Sequence, residues 1–176
     1  MPRETALWAI PAVSAGLLAL FALIPRIDPL RGNIEAFRAE YDWFIVIFTA
    51  FLAAIHVGIL AFNLGYEFDM ISLILIGIAG LFYYCGVLLS KAKQNWFVGI
   101  RTPWTLTSEV VWDRTHALGA KLFKLTAVLA AIGAFANEYA IYLLVIPLLA
   151  TVVITIAYSY YVYQQLESEG TNSGSA

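Results

Sequence analysis

Two carboxylates and an imidazole lie close together in the chain: Glu109, Asp113 and His116 occupy positions i, i+4 and i+7. At about 100° per residue a helix brings all three onto one narrow face. Like charges at i and i+4 repel mildly, so a cation held between them would reverse the sign. One candidate is the guanidinium of Arg101, folding back from the preceding loop. Another is a divalent metal with Glu109, Asp113 and His116 as ligands, because two carboxylates and an imidazole suit zinc or a similar ion. A third arrangement needs no ligand. Val111, Leu118 and Leu122 fall roughly opposite, so the polar face can be the solvated side of a helix lying on a membrane.

Arg101 sits between Gly99, which permits a backbone turn, and Pro103, which fixes the chain beyond Thr102. On such a loop its planar fork could hold a phosphate or carboxylate bidentately. The plainer alternatives are an anchor on lipid phosphate or a pair with Glu109. Trp96, Phe97 and Trp104 are placed to hold this loop against headgroups. Thr107 or Ser108 can cap the helix that follows, with Glu109 in its first turn.

A second set of polar residues lies inside apolar runs. His56 falls about 12 Å from one end of its run at 1.5 Å per residue. Thr151, Thr155 and Ser159 form an i, i+4, i+8 stripe on another run. Intramembrane ionisable groups are functional candidates, and the set could line a track for an ion or proton. It could equally supply interhelical hydrogen bonds. No acidic residue lies at that depth, so a classical proton relay lacks its carboxylate.

These groups sit in a chain that is 61% hydrophobic and 12% charged, against about 45–50% and 25% for a soluble domain. The net charge of −2 gives no basic field for direct nucleic-acid binding. The single cysteine, Cys85, excludes an internal disulfide and a multi-cysteine zinc site, and reads as inert packing. There is no nucleophile with a base nearby and no phosphate-cradling glycine loop, so an enzyme is not the expected reading and no cofactor is expected.

Apolar runs predict an all-α polytopic membrane protein with about five spans, near 7–24, 42–64, 70–89, 117–136 and 139–163. A cytoplasmic interfacial helix precedes the fourth span, continuous with it or kinked at Gly119. The first run could be read as a signal peptide, but Arg3 is offset by Glu4 and the arginines follow the run instead. Ala50, Ala54 and Gly58 form a small-residue stripe suited to close helix approach. The spans compose one domain, 1–163, followed by a Ser/Gly-rich tail, 164–176, expected to be disordered. With five spans, one side holds Arg3 alone. The other holds Arg26, Arg31, Arg38, Lys91, Lys93, Arg101, Arg114, Lys121 and Lys124. That asymmetry predicts the N-terminus outside and the C-terminus in the cytoplasm. Trp43, Trp96, Trp104 and Trp112 are then expected at or near the inner interface, with Trp8 at the outer one.

The run Gly99-Ile-Arg-Thr-Pro-Trp-Thr-Leu, then Ser108-Glu109, Val111-Trp112 and Thr115-His116, resembles the signature of the SdpI family. So does the earlier connector Ile27-Asp28-Pro29-Leu30, through Asn33 to Phe37 and Tyr41. The resemblance implies an integral membrane protein of immunity and signal transduction. Its partners would be membrane lipid, a secreted toxic peptide and a cytoplasmic repressor, with Arg101, Thr102, Pro103, Trp104, Glu109, Trp112 and His116 as the binding or signalling residues. Two alternatives come from the residues themselves. One is a small transporter using His56, Thr151, Thr155 and Ser159. The other is a metal-assisted enzyme at Glu109, Asp113 and His116.

Overall fold

The computed structural model describes residues 3–173, with side chains described for 7–169. Among them all regular structure is helical: α1 (Arg3–Ile27), α2 (Arg31–Glu35), α3 (Arg38–Asn63), α4 (Met70–Leu89), α5 (Pro103–Thr107), α6 (Glu109–Gly133), a 3-10 turn (Asn137–Tyr139) and α7 (Ala140–Ser173). Five of these, α1, α3, α4, α6 and α7, are long and apolar enough to cross a membrane.

The long helices pack in chain order: α1 on α3, α3 on α4, α4 on α6, and α6 on α7. Helices in lipid gain little from hiding apolar surface from one another, so close approach decides the contact. The α4–α6 contact is one illustration. A Cβ at Gly86 would stand 2.7 Å from the Ala120 carbonyl oxygen, so the two backbones meet there directly. On α3 the expected stripe is used at one position. Gly58 is buried, and a Cβ there would come within 2.8 Å of Leu73, whereas Ala50 and Ala54 are exposed.

Ser108 caps α6 by accepting from the Val111 amide, and Glu109 follows in the first turn, where it complements the helix dipole. The amphipathic stretch and the fourth span are one helix with no break at Gly119. That glycine instead leaves room for Ile100, whose Cδ1 would lie 2.4 Å from an added Cβ. At the C-terminus, α7 continues to Ser173, so the segment from 164 to 173, expected to be disordered, is helical. Its exposed rungs pair at i, i+4: Tyr160 with Gln164, Tyr161 with Gln165, and Tyr163 with Glu167. Such pairs support a helix that composition alone disfavours.

Candidate functional site

The larger of two buried clusters lies at one end of the bundle, where two connectors meet. Ile24, Ile34, Phe37 and Tyr41 from the first connector and its flanks pack with Leu88, Ala92 and Trp112. Polar side chains lock the connectors together around it. Asp28 is 3% exposed; one carboxylate oxygen accepts from the Leu30 amide at 2.6 Å and the other from the Trp96 amide at 2.9 Å. Asn33 donates to the Gln94 carbonyl at 2.7 Å, and Gln94 donates to the Thr105 carbonyl at 2.8 Å. Tyr41 donates its hydroxyl to the Phe21 carbonyl at 2.8 Å.

The loop after α4 is folded around Asn95, which is fully buried. Its carbonyl oxygen accepts from the Phe97 and Val98 amides at 2.9 and 2.6 Å. Its amide nitrogen donates to the Lys93 and Val98 carbonyls, both at 2.8 Å. One side chain thus supplies the turn's missing backbone partners. The chain then passes through Gly99 at φ +122° and enters α5 through a capping box between Thr102 and Thr105.

Trp112 and His116 form the floor beneath this loop. Trp112 is fully buried and donates its indole N–H to the Ala92 carbonyl at 2.9 Å. The His116 ring stacks on it with centroids 3.9 Å apart and planes 18° apart. His116 Nε2 accepts from the Ile100 amide at 3.0 Å, and Nδ1 lies 2.8 Å from the Trp112 carbonyl. A backbone amide can only donate, so Nε2 must be the bare nitrogen and Nδ1 carries the proton. His116 is therefore a neutral imidazole with both nitrogens engaged. A Cβ on Gly99 would stand 2.4 Å from Nε2, so the loop reaches the ring only because residue 99 has no side chain.

This arrangement separates the sequence-predicted triplet. Glu109 and Asp113 are exposed while His116 is 2% exposed. Among the described residues no group of three His, Cys, Asp or Glu is placed to hold a metal. The physical reason is the loop, which covers one flank of α6 and takes the imidazole's lone pair. Arg101 is exposed, and its Nη1 donates to the Trp96 carbonyl at 2.6 Å. The ion pairs among the described residues are both made by Arg38, with Glu35 and Asp42, so Arg101 does not compensate Glu109. Pro103 starts α5 and Trp104 packs against Tyr160, with ring centroids 4.9 Å apart. Trp43 and Trp96 are exposed as an interfacial belt requires, but Trp112 is core.

The hydroxyl stripe on α7 is a seam. Thr151 pairs with Thr126 of α6 at 3.1 Å, Thr155 bonds back to the Thr151 carbonyl at 2.8 Å, and Thr102 donates to Ser159 at 3.2 Å. All three stripe residues are at most 3% exposed. His56 lies on α3, which packs on α1 and α4, and its Nδ1 is buried without a hydrogen-bond partner. The structure does not bring it to the stripe, because α4 and α6 lie between α3 and α7.

Asp28, Asn33 and Asn95 are the residues that sequence reasoning passed over as site residues. Asp28 and Asn33 look like ordinary turn formers beside Pro29 and Gly32. Their signal is that they fall inside the first connector, which shares the family resemblance with the second. Two connectors that carry one signature are candidates for mutual contact.

Residues 91–159 match the model of the SdpI/YfhL protein family. The immunity protein SdpI of Bacillus subtilis (strain 168) is 26% identical to the chain over 165 residues, covering 93% of this chain and 77% of that protein. No solved structure matches. The resemblance read from the two connectors is thereby borne out, and the alignment with the immunity protein extends it over nearly the whole chain.

Proposed function

We propose that this SdpI-like membrane protein acts in immunity: it protects the cell that carries it from a secreted peptide toxin, and it holds a cytoplasmic repressor at the inner face of the membrane. The role is binding, not catalysis. The observation that carries the reading is the relation to an immunity protein over 93% of the chain, with Asn95, Thr105, Trp112 and His116 of the signature stretch all buried. The supporting physical argument is the fate of the signature's polar groups. Asn95, Thr102, Thr105 and His116 are spent on one another and on backbone, as expected of residues that give a surface its shape. Around that knot the exposed side chains of Trp96, Arg101, Glu109 and Asp113 remain to meet a partner.

Orientation belongs to the same proposal. The basic asymmetry puts the knot on the cytoplasmic side, where a repressor would dock, and leaves the turns at Gly65 and Asn137 outside, where a toxin arrives. The test is a killing assay on cells sensitive to a secreted peptide toxin, with and without this chain. Survival that depends on the chain is the expected result. Equal killing, with the protein present in the membrane, would refute the immunity reading. Membrane recruitment of a repressor reporter that depends on the chain tests the second half separately, and a reporter that stays in the cytoplasm would refute it.

A further inference from the structure

A groove of roughly 530 Å³ opens beside the knot, within the range of about 300–1,000 Å³ common for ligand sites. One wall is the end of α4 and the loop after it, with Lys91 and Lys93. The other is one face of α6, where Asp113, His116, Ala117, Ala120, Lys121 and Lys124 follow at helical spacing. Four lysines thus converge on one cavity that contains a single carboxylate, Asp113. That carboxylate is eleven residues from Lys124, about 16 Å along the helix. None of the four lysines makes a close ion pair, since both ion pairs among the described residues belong to Arg38, and Lys93 also borders a smaller pocket with Glu109 and Asp113.

Lys124 is the informative member. It lies nine residues before the end of α6 at Gly133, about 13 Å along the axis, well within a span. A charge there is costly and marks a functional position. Its stem crosses Gly86, where an added Cβ would stand 2.7 Å from Lys124 Cγ, and its amine lies 5.8 Å from the Tyr83 ring centroid. The stem is therefore packed in the α4–α6 contact, and the amine turns toward Tyr83, on the side of Gly86 away from Lys91. The groove floor, by contrast, is apolar: Leu89, Ala117 and Ala120.

We propose that this groove binds the phosphate of an anionic ligand at the membrane surface, supplied by a phospholipid headgroup or by free phosphate. Lys91, Lys93 and Lys121 line the groove around the phosphate, and Lys124 lies deeper in the span with its amine beside Tyr83. The apolar lining of Leu89, Ala117 and Ala120 beside the lysines suits a ligand with both a phosphate and an apolar part, which favours the headgroup. Basic pockets between spans on the positive side of a membrane protein recognise anionic headgroups in general. The site is separate from the immunity reading and stands or falls on its own.

The test uses the full chain in neutral detergent micelles and follows its unfolding temperature against added phosphatidylglycerol, phosphatidylcholine or inorganic phosphate. Ligand that binds only the folded state raises that temperature with concentration. Phosphatidylglycerol is expected to raise it where phosphatidylcholine does not. A parallel response to inorganic phosphate would assign the site to phosphate itself, and its absence would assign it to the headgroup. Lys121→Gln with Lys124→Gln should weaken the response about thirtyfold, at roughly fivefold per lysine. Lys121→Arg with Lys124→Arg should keep it, and so should Arg31→Gln, which removes a charge outside the groove. If the α6 double variant does not fold, Lys91→Gln with Lys93→Gln provides the same test from the loop wall. The proposal is overturned if neither anion stabilises the parent, if the glutamine variants respond like the parent, or if Arg31→Gln loses the response equally.

Discussion

Gly99→Ala is the sharpest probe of the loop–imidazole contact. Two costs arise at once. The residue sits at φ +122°, where a side chain is strained by about 1–3 kcal/mol. Its new Cβ would also stand 2.4 Å from His116 Nε2, so the loop must lift and the Ile100 amide loses its acceptor. The buried His116 Nε2 is then left without its donor, and an unpartnered buried polar group costs about 1–3 kcal/mol. The sum is roughly 2–6 kcal/mol, a large part of the stability of an ordinary domain. Gly65 supplies the control, because it has φ +92° with nothing within 4 Å of an added Cβ. Gly65→Ala therefore carries the backbone cost alone. Unfolding of the full chain in micelles should place Gly99→Ala below Gly65→Ala by about 1–3 kcal/mol. Adding His116→Ala to Gly99→Ala should cost less than the sum of the two single changes, since the ring that clashes is gone. Equal loss at the two glycines, or strict additivity with His116→Ala, would refute the contact.

Three further outcomes follow from named residues. In a Cys85→Ala background, Glu67→Cys and Glu138→Cys should react with an impermeant thiol reagent in whole cells and Lys93→Cys should not; the reverse pattern would invert the proposed topology. Arg101→Lys keeps the charge and loses the planar fork, so it should lower protection in the killing assay at equal membrane level; full protection would exclude recognition by the guanidinium. Asp28→Asn replaces one of two acceptor oxygens with a donor facing the Leu30 or Trp96 amide, and should destabilise the chain by about 1–3 kcal/mol; a neutral result in micelle unfolding would deny that Asp28 ties the connectors.

The helices were legible in the sequence because each span carries its own signal: an apolar run of sufficient length, with Ser108 to cap α6. The burial of Trp112 and His116 was not. A helical wheel ranks faces against a single flat surface, and on that basis His116 shares the wet side with Glu109 and Asp113. In the folded chain α6 meets several surfaces: α4, α7, α5 and the loop between Asn95 and Thr102. The loop covers the flank that holds His116 and leaves the neighbouring carboxylates open. Nothing local to residues 109–116 encodes that covering; it depends on Asp28 and Asn33, more than sixty residues earlier in the chain. The stripe on α3 misled for a related reason. Small residues at four-residue spacing permit close approach, but only Gly58 meets a partner helix, since α3 has one neighbour on each of two sides.

The division of labour within the signature has a consequence for reading any set of variants. Asn95, Trp112 and His116 touch no solvent to speak of, so a change at any of them acts through the shape of the knot. Loss of protection in those variants would accompany loss of folded protein and would say little about recognition. Trp96, Arg101, Glu109 and Asp113 stand on the outside of the same knot. Surface changes of that kind usually alter stability by less than about 0.5 kcal/mol, so a functional loss there would report contact with a partner. Two classes of variant within one short motif should therefore separate on a plot of protection against membrane level. The buried class should fall along a line of declining protein, and the exposed class should drop vertically at constant protein.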